Sequence, residues 1–306
     1  MAPISPSCDG GHLPRVETSP AAHTPHGWKV AGGILLLLGT MGVVVSSCMA
    51  RVGARTDWVL AVWLVGLASL PLGLNFGVRD PLHLRLPKVD RELAMVVGIL
   101  MVAALVRAPA AQTWAEAARI TEIPLQIRNA LDGAGSPLSR DSSGIPLLFY
   151  FAALPVHGLA GGAAVAMAWG AASEGLLSLL LLHLVLRRLI PIPLAAGVTL
   201  AVALIPWQVA PSYTGFVQVQ AVVWTLVLLY MLLRALDSGR SIEYVLAGYS
   251  GGVCLMIYPA ALIGPALAVL VLVARWARRR DFPGRQARGL VISVLGALAV
   301  TGPLVP

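Results

Sequence analysis

The chain has 306 residues, of which 58% are hydrophobic and only 12% carry a charged side chain. Soluble domains are about half apolar and about a quarter charged, so this composition excludes an ordinary water-soluble protein. The mean hydropathy of +0.81 is typical of a polytopic membrane protein. The net charge of +8 does not indicate nucleic-acid binding, because the basic residues lie in short segments between apolar runs, as in loops that face anionic lipid.

The N-terminal third divides into a tail and a two-helix segment. Residues 1–27 are rich in Pro, Ser, His and Gly and lack periodicity, which predicts a disordered tail. Apolar runs at 28–49 and 58–76 predict two spans, and a linker with several basic residues follows. We therefore predict that residues 28–92 form an accessory two-helix membrane segment with a basic cytoplasmic linker.

A third span is predicted at residues 93–106. This run is short, so we expect Arg107 to extend its side chain to the membrane interface while the apolar residues that follow continue the helix. Residues 108–144 form the longest polar segment after the tail, and apolar residues at helical spacing within it predict a helix on the membrane surface. Residues 145–159 are apolar and too short for a clear span, which favours a juxtamembrane segment.

The C-terminal half predicts the remaining spans. They lie near residues 163–186, 194–209, 216–233, 245–257 and 260–274, and a last one begins near Gly289. Tyr258-Pro259 separates two short helices, because proline lacks the backbone donor that a helix needs. Gly248 and Gly252 form a GxxxG pair, for which ordinary close helix packing is the better interpretation. The predicted fold is an all-α polytopic membrane protein with about eight spans and an outer loop carrying juxtamembrane helices.

Loop charges predict the orientation in the membrane. The pair Arg187-Arg188, the pair Arg234 and Arg240, and the basic run 275–288 should face the cytoplasm. Residues 108–144 then lie outside and the N-terminus is cytoplasmic, provided that 145–159 does not cross. The Arg, Ala and Gly bias favours a bacterial origin and hence the cytoplasmic (inner) membrane, crossed several times.

Motifs for soluble catalysis are missing from the sequence. There is no Walker loop, no HExxH, no GxSxG and no cysteine pair at metal-ligand spacing. His157 and His183 are expected to be structural or interfacial. Glu174 lies early in its predicted span, so extension of its side chain to the interface is the simpler account. No cofactor is predicted, although a divalent metal stays open.

The order of motifs after residue 93 resembles a known family. The chain reads Arg107-Ala-Pro, Trp114-Ala-Glu116-Ala, Arg128-Asn-Ala-Leu-Asp-Gly and Ile145-Pro-Leu-Leu-Phe-Tyr-Phe-Ala-Ala-Leu, and later Ala203-Leu-Ile-Pro-Trp and Tyr258-Pro-Ala-Ala. This order resembles type-C membrane glycosyltransferases, specifically the bacterial relatives of protein O-mannosyltransferases and aminoarabinose transferases. The resemblance makes residues 93–306 a glycosyltransferase-like core with an outer loop at 108–159. Such enzymes continue through further spans, so the core is expected to be C-terminally incomplete.

The resemblance implies an inverting sugar transfer from a polyprenyl-phosphate donor to an acceptor outside the membrane, with a loop carboxylate as general base. Glu116 matches the Glu of the family's Asp-Glu-Ala motif, but Ala115 replaces the Asp. Another register places Glu122 there, and Asp141 is a third candidate. Arg140 is the candidate contact for the donor phosphate, with a solvated arginine as the equal alternative.

Two other functions remain open from the sequence. A non-catalytic membrane subunit or scaffold would fit the missing Asp-Glu pair, and a transporter component would place polar groups within its spans. The implied partners are membrane lipid, a polyprenyl-phosphate sugar donor, an unidentified acceptor and a membrane subunit, but no nucleic acid.

Overall fold

The computed structural model describes residues 26–51, 56–78, 91–117, 163–211, 217–279 and 284–302. Within these ranges the chain is helical and has no strand, which confirms the predicted all-α class for the described residues. The α-helices are α1 (His26–Arg51), α2 (Thr56–Val78), α3 (Arg91–Ala117), α4 (Ala163–Leu186), α5 (Ile192–Leu204), α6 (Pro206–Val209), α7 (Val217–Ser238), α8 (Ser241–Ile257), α9 (Ile263–Arg279) and α10 (Gly284–Thr301).

Three helices of the described chain are long and apolar enough to cross a membrane. They comprise Ala168–Leu186 in α4, Gln218–Ser238 in α7, and Pro259–Ala277, which includes most of α9. Shorter apolar stretches lie in α1, α2, α5, α8 and α10, so the total of about eight spans stays a prediction. Leu105 and Val65 are 70% and 65% exposed on the helix surfaces. Apolar exposure of this kind suits lipid rather than water.

The first bundle consists of α3, α4 and α5. Glu92 in the first turn of α3 contacts His183 in the last turn of α4, so these two helices are antiparallel. Farther along, Ile99 and Ala103 of α3 pack into one apolar cluster with Leu179 of α4. The same cluster includes alanines of α5. Small side chains therefore let the three helices approach closely at this level.

The second bundle consists of α7, α8, α9 and α10. The turn between α7 and α8 contains Gly239, whose φ of 70° lies in the left-handed region that favours glycine after a helix end. At the other end of α8, Tyr258-Pro259 stops the helix and a 3-10 helix (Pro259–Leu262) leads into α9. The predicted break at this proline is confirmed.

Glycines mediate the closest helix contacts. A methyl group added to Gly252 of α8 would lie 2.7 Å from the carbonyl oxygen of Ala297 in α10, and Gly248 approaches the backbone of Ser293 more closely still. The close-packing interpretation of the GxxxG pair is therefore confirmed. Between α1 and α2, a methyl on Gly42 would lie 3.0 Å from the Cα of Gly66.

The α1–α2 pair docks on the second bundle through two aromatic side chains. The indole Nε1 of Trp63 donates to the carbonyl oxygen of Ala299 at 3.0 Å. The hydroxyl of Tyr249 donates to the carbonyl oxygen of Leu67 at 2.8 Å. Each aromatic ring thus packs in the apolar interior while its polar group bonds to a backbone carbonyl of the other unit.

The alternating helix directions bring the basic residues together. The starts of α3 and α8 and the ends of α4, α7 and α9 share one end of the molecule, through contacts such as Arg188 with Asp237 and Arg275 with Asp237. We call this the basic end, and it contains Arg187, Arg188, Arg234, Arg240 and Arg275. The described arginines that charge counting assigns to one side of the membrane therefore lie at one end of the protein.

Candidate functional site

The predicted catalytic carboxylates are mostly beyond the part of the chain that the structure describes. Glu116 lies in the last turn of α3, so its backbone belongs to a helix rather than to the loop predicted from residue 108 onward. Glu122, Arg140 and Asp141 lie outside the described residues, as do the predicted surface helix and the 145–159 segment. Their roles stay predictions.

The described part of α3 contains one unexpected feature, which is a buried cation. Arg107 is only 1% exposed, so its side chain does not extend to the interface as expected. Its Nη1 donates to the carbonyl oxygens of Ala103 at 3.1 Å and Ala203 at 3.3 Å. These acceptors tie the middle of α3 to the end of α5 and hold the guanidinium between the two helices.

The remaining donors of this guanidinium have no hydrogen-bond partner. Among the described residues, neither Nε nor Nη2 of Arg107 meets an acceptor, and no described carboxylate forms an ion pair with it. A buried charge without a partner costs several kcal/mol, roughly, even after the protein relaxes around it. Such a group in a membrane helix therefore points to an anion-binding role.

A row of polar side chains follows one face of α4. The amide Nε2 of Gln220 donates to Oε1 of Glu174 at 2.9 Å, and one turn farther on, the amide of Gln208 donates to the hydroxyl of Ser178 at 2.9 Å. We call these four residues the α4 polar row. Glu174 is the twelfth residue of α4 when the helix begins at Ala163, so it lies within the helix rather than near its start. Its carboxyl group accepts a hydrogen bond inside the bundle, so the side chain does not have to extend to the membrane interface.

The polar row and Arg107 lie at similar heights in the first bundle. Glu92 of α3 and His183 of α4 are in contact, and the two helices run antiparallel. Counted along the helix axes from that contact, the positions of the Ala103 carbonyl and of Glu174 differ by less than about one helical turn. Both groups are farther from the basic end than that contact. At this level the described residues place a buried cation between α3 and α5 and a hydrogen-bonded carboxylate between α4 and α7.

At the basic end, by contrast, ionised side chains pair with one another. Oε1 of Glu92 lies 2.8 Å from Nη1 of Arg187 and 3.2 Å from Nε2 of His183. Glu92 lies in the first turn of α3, where its negative charge complements the helix dipole, and His183 lies in the last turn of α4. The prediction that His183 is structural agrees with this contact, which joins two helix ends.

A second set of pairs joins α4, α7, α8 and α9. Glu243, with its side chain 1% exposed, lies 2.7 Å from Nη2 of Arg234 and also accepts a hydrogen bond from Ser238. Asp237 lies between Arg188, at 3.3 Å, and Arg275, at 2.9 Å. Each of these carboxylates is paired with a cation. In the residues that the structure describes, we therefore interpret the ion pairs of the basic end as contacts that hold the helices together.

No group of three or more His, Cys, Asp or Glu suited to a metal ion occurs within the described ranges. Sequence reasoning missed Arg107 as a functional candidate because its position at the end of a short apolar run suggested an interfacial side chain. The signal that could have identified it is the set of alanines around it, since Ala103 and Ala203 are too small to fill the space beside a long side chain.

Comparisons with known proteins give no match: no family model, no curated protein and no solved structure resembles this chain significantly. The likeness to type-C glycosyltransferases therefore depends on the order of the sequence motifs alone.

Proposed function

We propose that this chain is a membrane glycosyltransferase that takes a sugar from a polyprenyl-phosphate donor. The acceptor would be bound on the outer face of the membrane. The observation that carries the proposal is Arg107, which is buried, lacks a carboxylate partner among the described residues and leaves two donors unused. A lipid-linked phosphate is an anion that could reach such a cation from within the bilayer.

The proposed reaction is a single displacement at the anomeric carbon. A carboxylate of Glu116, Glu122 or Asp141 accepts the proton of the acceptor hydroxyl, whose oxygen forms the new bond to the sugar. The bond between the anomeric carbon and the phosphate oxygen breaks, and its electron pair leaves with the polyprenyl phosphate. Arg107, with Arg140 as a second candidate, would stabilise the negative charge of the departing phosphate.

The proposed orientation places the basic end at the cytoplasmic face of a bacterial inner membrane. The arginines there would face anionic lipid, as expected from the positive-inside rule. The N-terminus would then be cytoplasmic and the 108–159 segment outside.

The phosphate-binding role can be tested without knowing the sugar. Sugar-free polyprenyl phosphate is titrated into the purified full chain in detergent. We expect Arg107→Gln to weaken the binding of polyprenyl phosphate at least tenfold, because the variant loses the charged contact to the phosphate. A tenfold change in affinity corresponds to about 1.4 kcal/mol. Arg187→Gln is the matched control, since Arg187 is at the basic end and pairs with Glu92.

Thermal unfolding of the same samples separates binding from folding. Arg107→Gln removes an uncompensated buried charge, so we expect its melting temperature to equal or exceed that of the wild type. A folded Arg107→Gln protein that binds polyprenyl phosphate as tightly as the wild type would contradict the proposed role.

The catalytic assignment is tested by sugar transfer in membrane vesicles, using polyprenyl phosphates that carry mannose, glucose or aminoarabinose. We expect Glu116→Gln or Glu122→Gln to abolish transfer, because glutamine cannot accept the proton of the acceptor. Asp237→Asn, which changes an exposed carboxylate at the basic end, should leave transfer unchanged. Full activity of both glutamate variants would make this site assignment wrong and leave Asp141→Asn as the remaining variant to test.

A transporter component is the second candidate, and Glu174 is the observation that favours it. A carboxylate bonded to Gln220 within a candidate span is typical of groups along transport pathways. If the chain is a glycosyltransferase, we expect the Glu174→Gln variant to retain sugar transfer. Loss of ion or solute flux in vesicles from the Glu174→Gln variant, with no transfer by the wild type, would favour the transporter. A wild type with neither activity would favour a non-catalytic subunit.

A further inference from the structure

An apolar cleft lies between α9 and α10, on the side of the second bundle. It has a volume of about 340 Å³. Leu272 of α9 and Leu290 of α10 line its two walls, and Gly248 and Gly251 of α8 lie at its floor. The lining residues are apolar apart from Ser293, whose hydroxyl already donates to the carbonyl oxygen of Tyr244 at 2.7 Å.

The cleft exists because of how the surrounding helices pack. Gly248 holds α10 close to α8 through the backbone of Ser293, whereas α9 packs mainly on α7 and less on α8. Gly251 then has no side chain to fill the space between them: the nearest atom to an added methyl there is Cδ1 of Leu228, 3.8 Å away. Because α10 is held against α8 and glycine leaves no side chain at position 251, an open space remains between α9 and α10.

The cleft lies within a candidate membrane span. Leu272 belongs to Pro259–Ala277, of which only 17% is buried inside the protein. Its neighbours Leu270 and Val273 are 61% and 52% exposed on the outer side of α9. Because the cleft and its surroundings are both apolar, hydrocarbon fills the cleft more favourably than water.

The size of the cleft selects the kind of hydrocarbon. An α-helix with its side chains is about 10–12 Å across, which is too wide for a cavity of about 340 Å³. A single acyl chain is narrow and flexible enough to follow the line from Leu290 to Ala297 along α10. The cleft is therefore suited to one lipid chain rather than to another helix.

Charge near one end of the cleft selects the head group. One turn beyond Leu272, α9 presents Trp276, which is 57% exposed, and tryptophan prefers the level of the lipid head groups. Among the described residues, Arg275 of α9 lies three residues beyond Leu272, and the exposed Arg288 of α10 lies two residues before Leu290. Basic residues near the membrane surface attract anionic head groups.

We infer that this cleft binds one acyl chain of an anionic phospholipid, whose head group lies at the basic end beside Trp276. The inference requires only that α7 and α9 lie in the bilayer, and it is independent of sugar transfer. The bound lipid supplies the packing that α9 lacks against α10.

Native mass spectrometry of the full chain tests this inference, with phosphatidylglycerol and phosphatidylcholine of equal chain length as probes. We expect one phosphatidylglycerol to be retained, with at least tenfold preference over phosphatidylcholine. Gly251→Leu fills the cleft and should abolish this retention. Gly98→Leu is the matched control, because no atom lies within 4 Å of an added methyl at Gly98 and the residue is exposed on α3.

A second variant provides the same test if Gly251→Leu does not fold. Val294 is 59% exposed and lines the opposite wall, so Val294→Trp fills the cleft from α10 and should also abolish retention. Equal retention of the two lipids would overturn the inference, as would a phosphatidylglycerol that stays bound in both cleft variants. A dimer of the chain that both variants dissociate would assign the cleft to a second copy and would overturn it as well.

Discussion

At the scale of single residues, burial decides which charges matter for stability. Glu243 and Asp237 belong to the same set of ion pairs, but the Glu243 side chain is 1% exposed and that of Asp237 is 54% exposed. Removing one partner of a buried pair leaves the other charge in a medium that solvates it poorly. When one partner of an exposed pair is removed, water and counterions solvate the remaining charge, so little stability is lost.

We expect Glu243→Gln to destabilise the protein by about 3 kcal/mol, because Arg234 would keep its charge without a carboxylate. Asp237→Asn should cost less than about 1 kcal/mol, since Arg188 and Arg275 remain accessible to solvent. Chemical unfolding of both variants in the same detergent measures the difference. Equal losses would indicate that Glu243 is solvated in solution.

Single residues were also the least predictable part of the candidate site. The sequence identifies Arg107 as a cation at the end of an apolar run, but it does not reveal that α5 returns beside it. Ala203, whose carbonyl accepts from the guanidinium, is 96 residues away in the sequence. Contacts at that separation depend on helix packing, which local patterns do not encode.

At the scale of helices, the two glycine contacts of α8 have opposite consequences. We expect Gly248→Ala to destabilise the protein by about 1–3 kcal/mol, because the new methyl meets the backbone of Ser293 and α10 must move. Gly251→Ala should instead be neutral or stabilising by up to about 1 kcal/mol, since alanine favours the helix and finds only Leu228 nearby. Unfolding of the two variants in parallel provides the comparison, and similar losses would contradict the packing described for Gly248.

Helix ends illustrate what sequence reasoning can and cannot supply at this scale. The stop at Tyr258-Pro259 was predictable, because proline removes a donor wherever it occurs. The length of α3 was underestimated, because the apolar residues that were expected to continue the helix end at Ala111 whereas the helix continues to Ala117. Alanine and glutamate are good helix formers, so the helix extends after the apolar run has ended.

For the whole molecule, the distribution of charge is the property that the sequence predicts best. Arg187, Arg234 and Arg275 come from three separate segments, yet all lie at the basic end. Charge counting predicts this grouping because it needs only the order of apolar and basic segments. The number of spans is harder to predict, because several apolar stretches are shorter than a bilayer is thick.

The orientation can be measured with two single-cysteine variants in a background without Cys8, Cys48 and Cys254. Trp207→Cys replaces a residue that is 88% exposed in α6, beyond the end of α5 that is farther from the basic end, and Asp237→Cys places a thiol at the basic end. We expect a membrane-impermeant maleimide to label Trp207→Cys in intact cells and Asp237→Cys only after permeabilisation. The reverse pattern would place the basic end outside.

The bond between Trp63 and Ala299 also sets an order of events during synthesis. The two residues are 236 positions apart, so at about 5–20 residues per second the ribosome needs roughly 10–50 s to make the second after the first. For most of that interval the α1–α2 pair has no docking surface, because Tyr249 of α8, which contacts Leu67, is itself made 182 residues after it. Its contact at Gly42 and Gly66 must therefore hold the two helices together in the membrane until α10 emerges, which makes this pair the earliest independent unit of assembly.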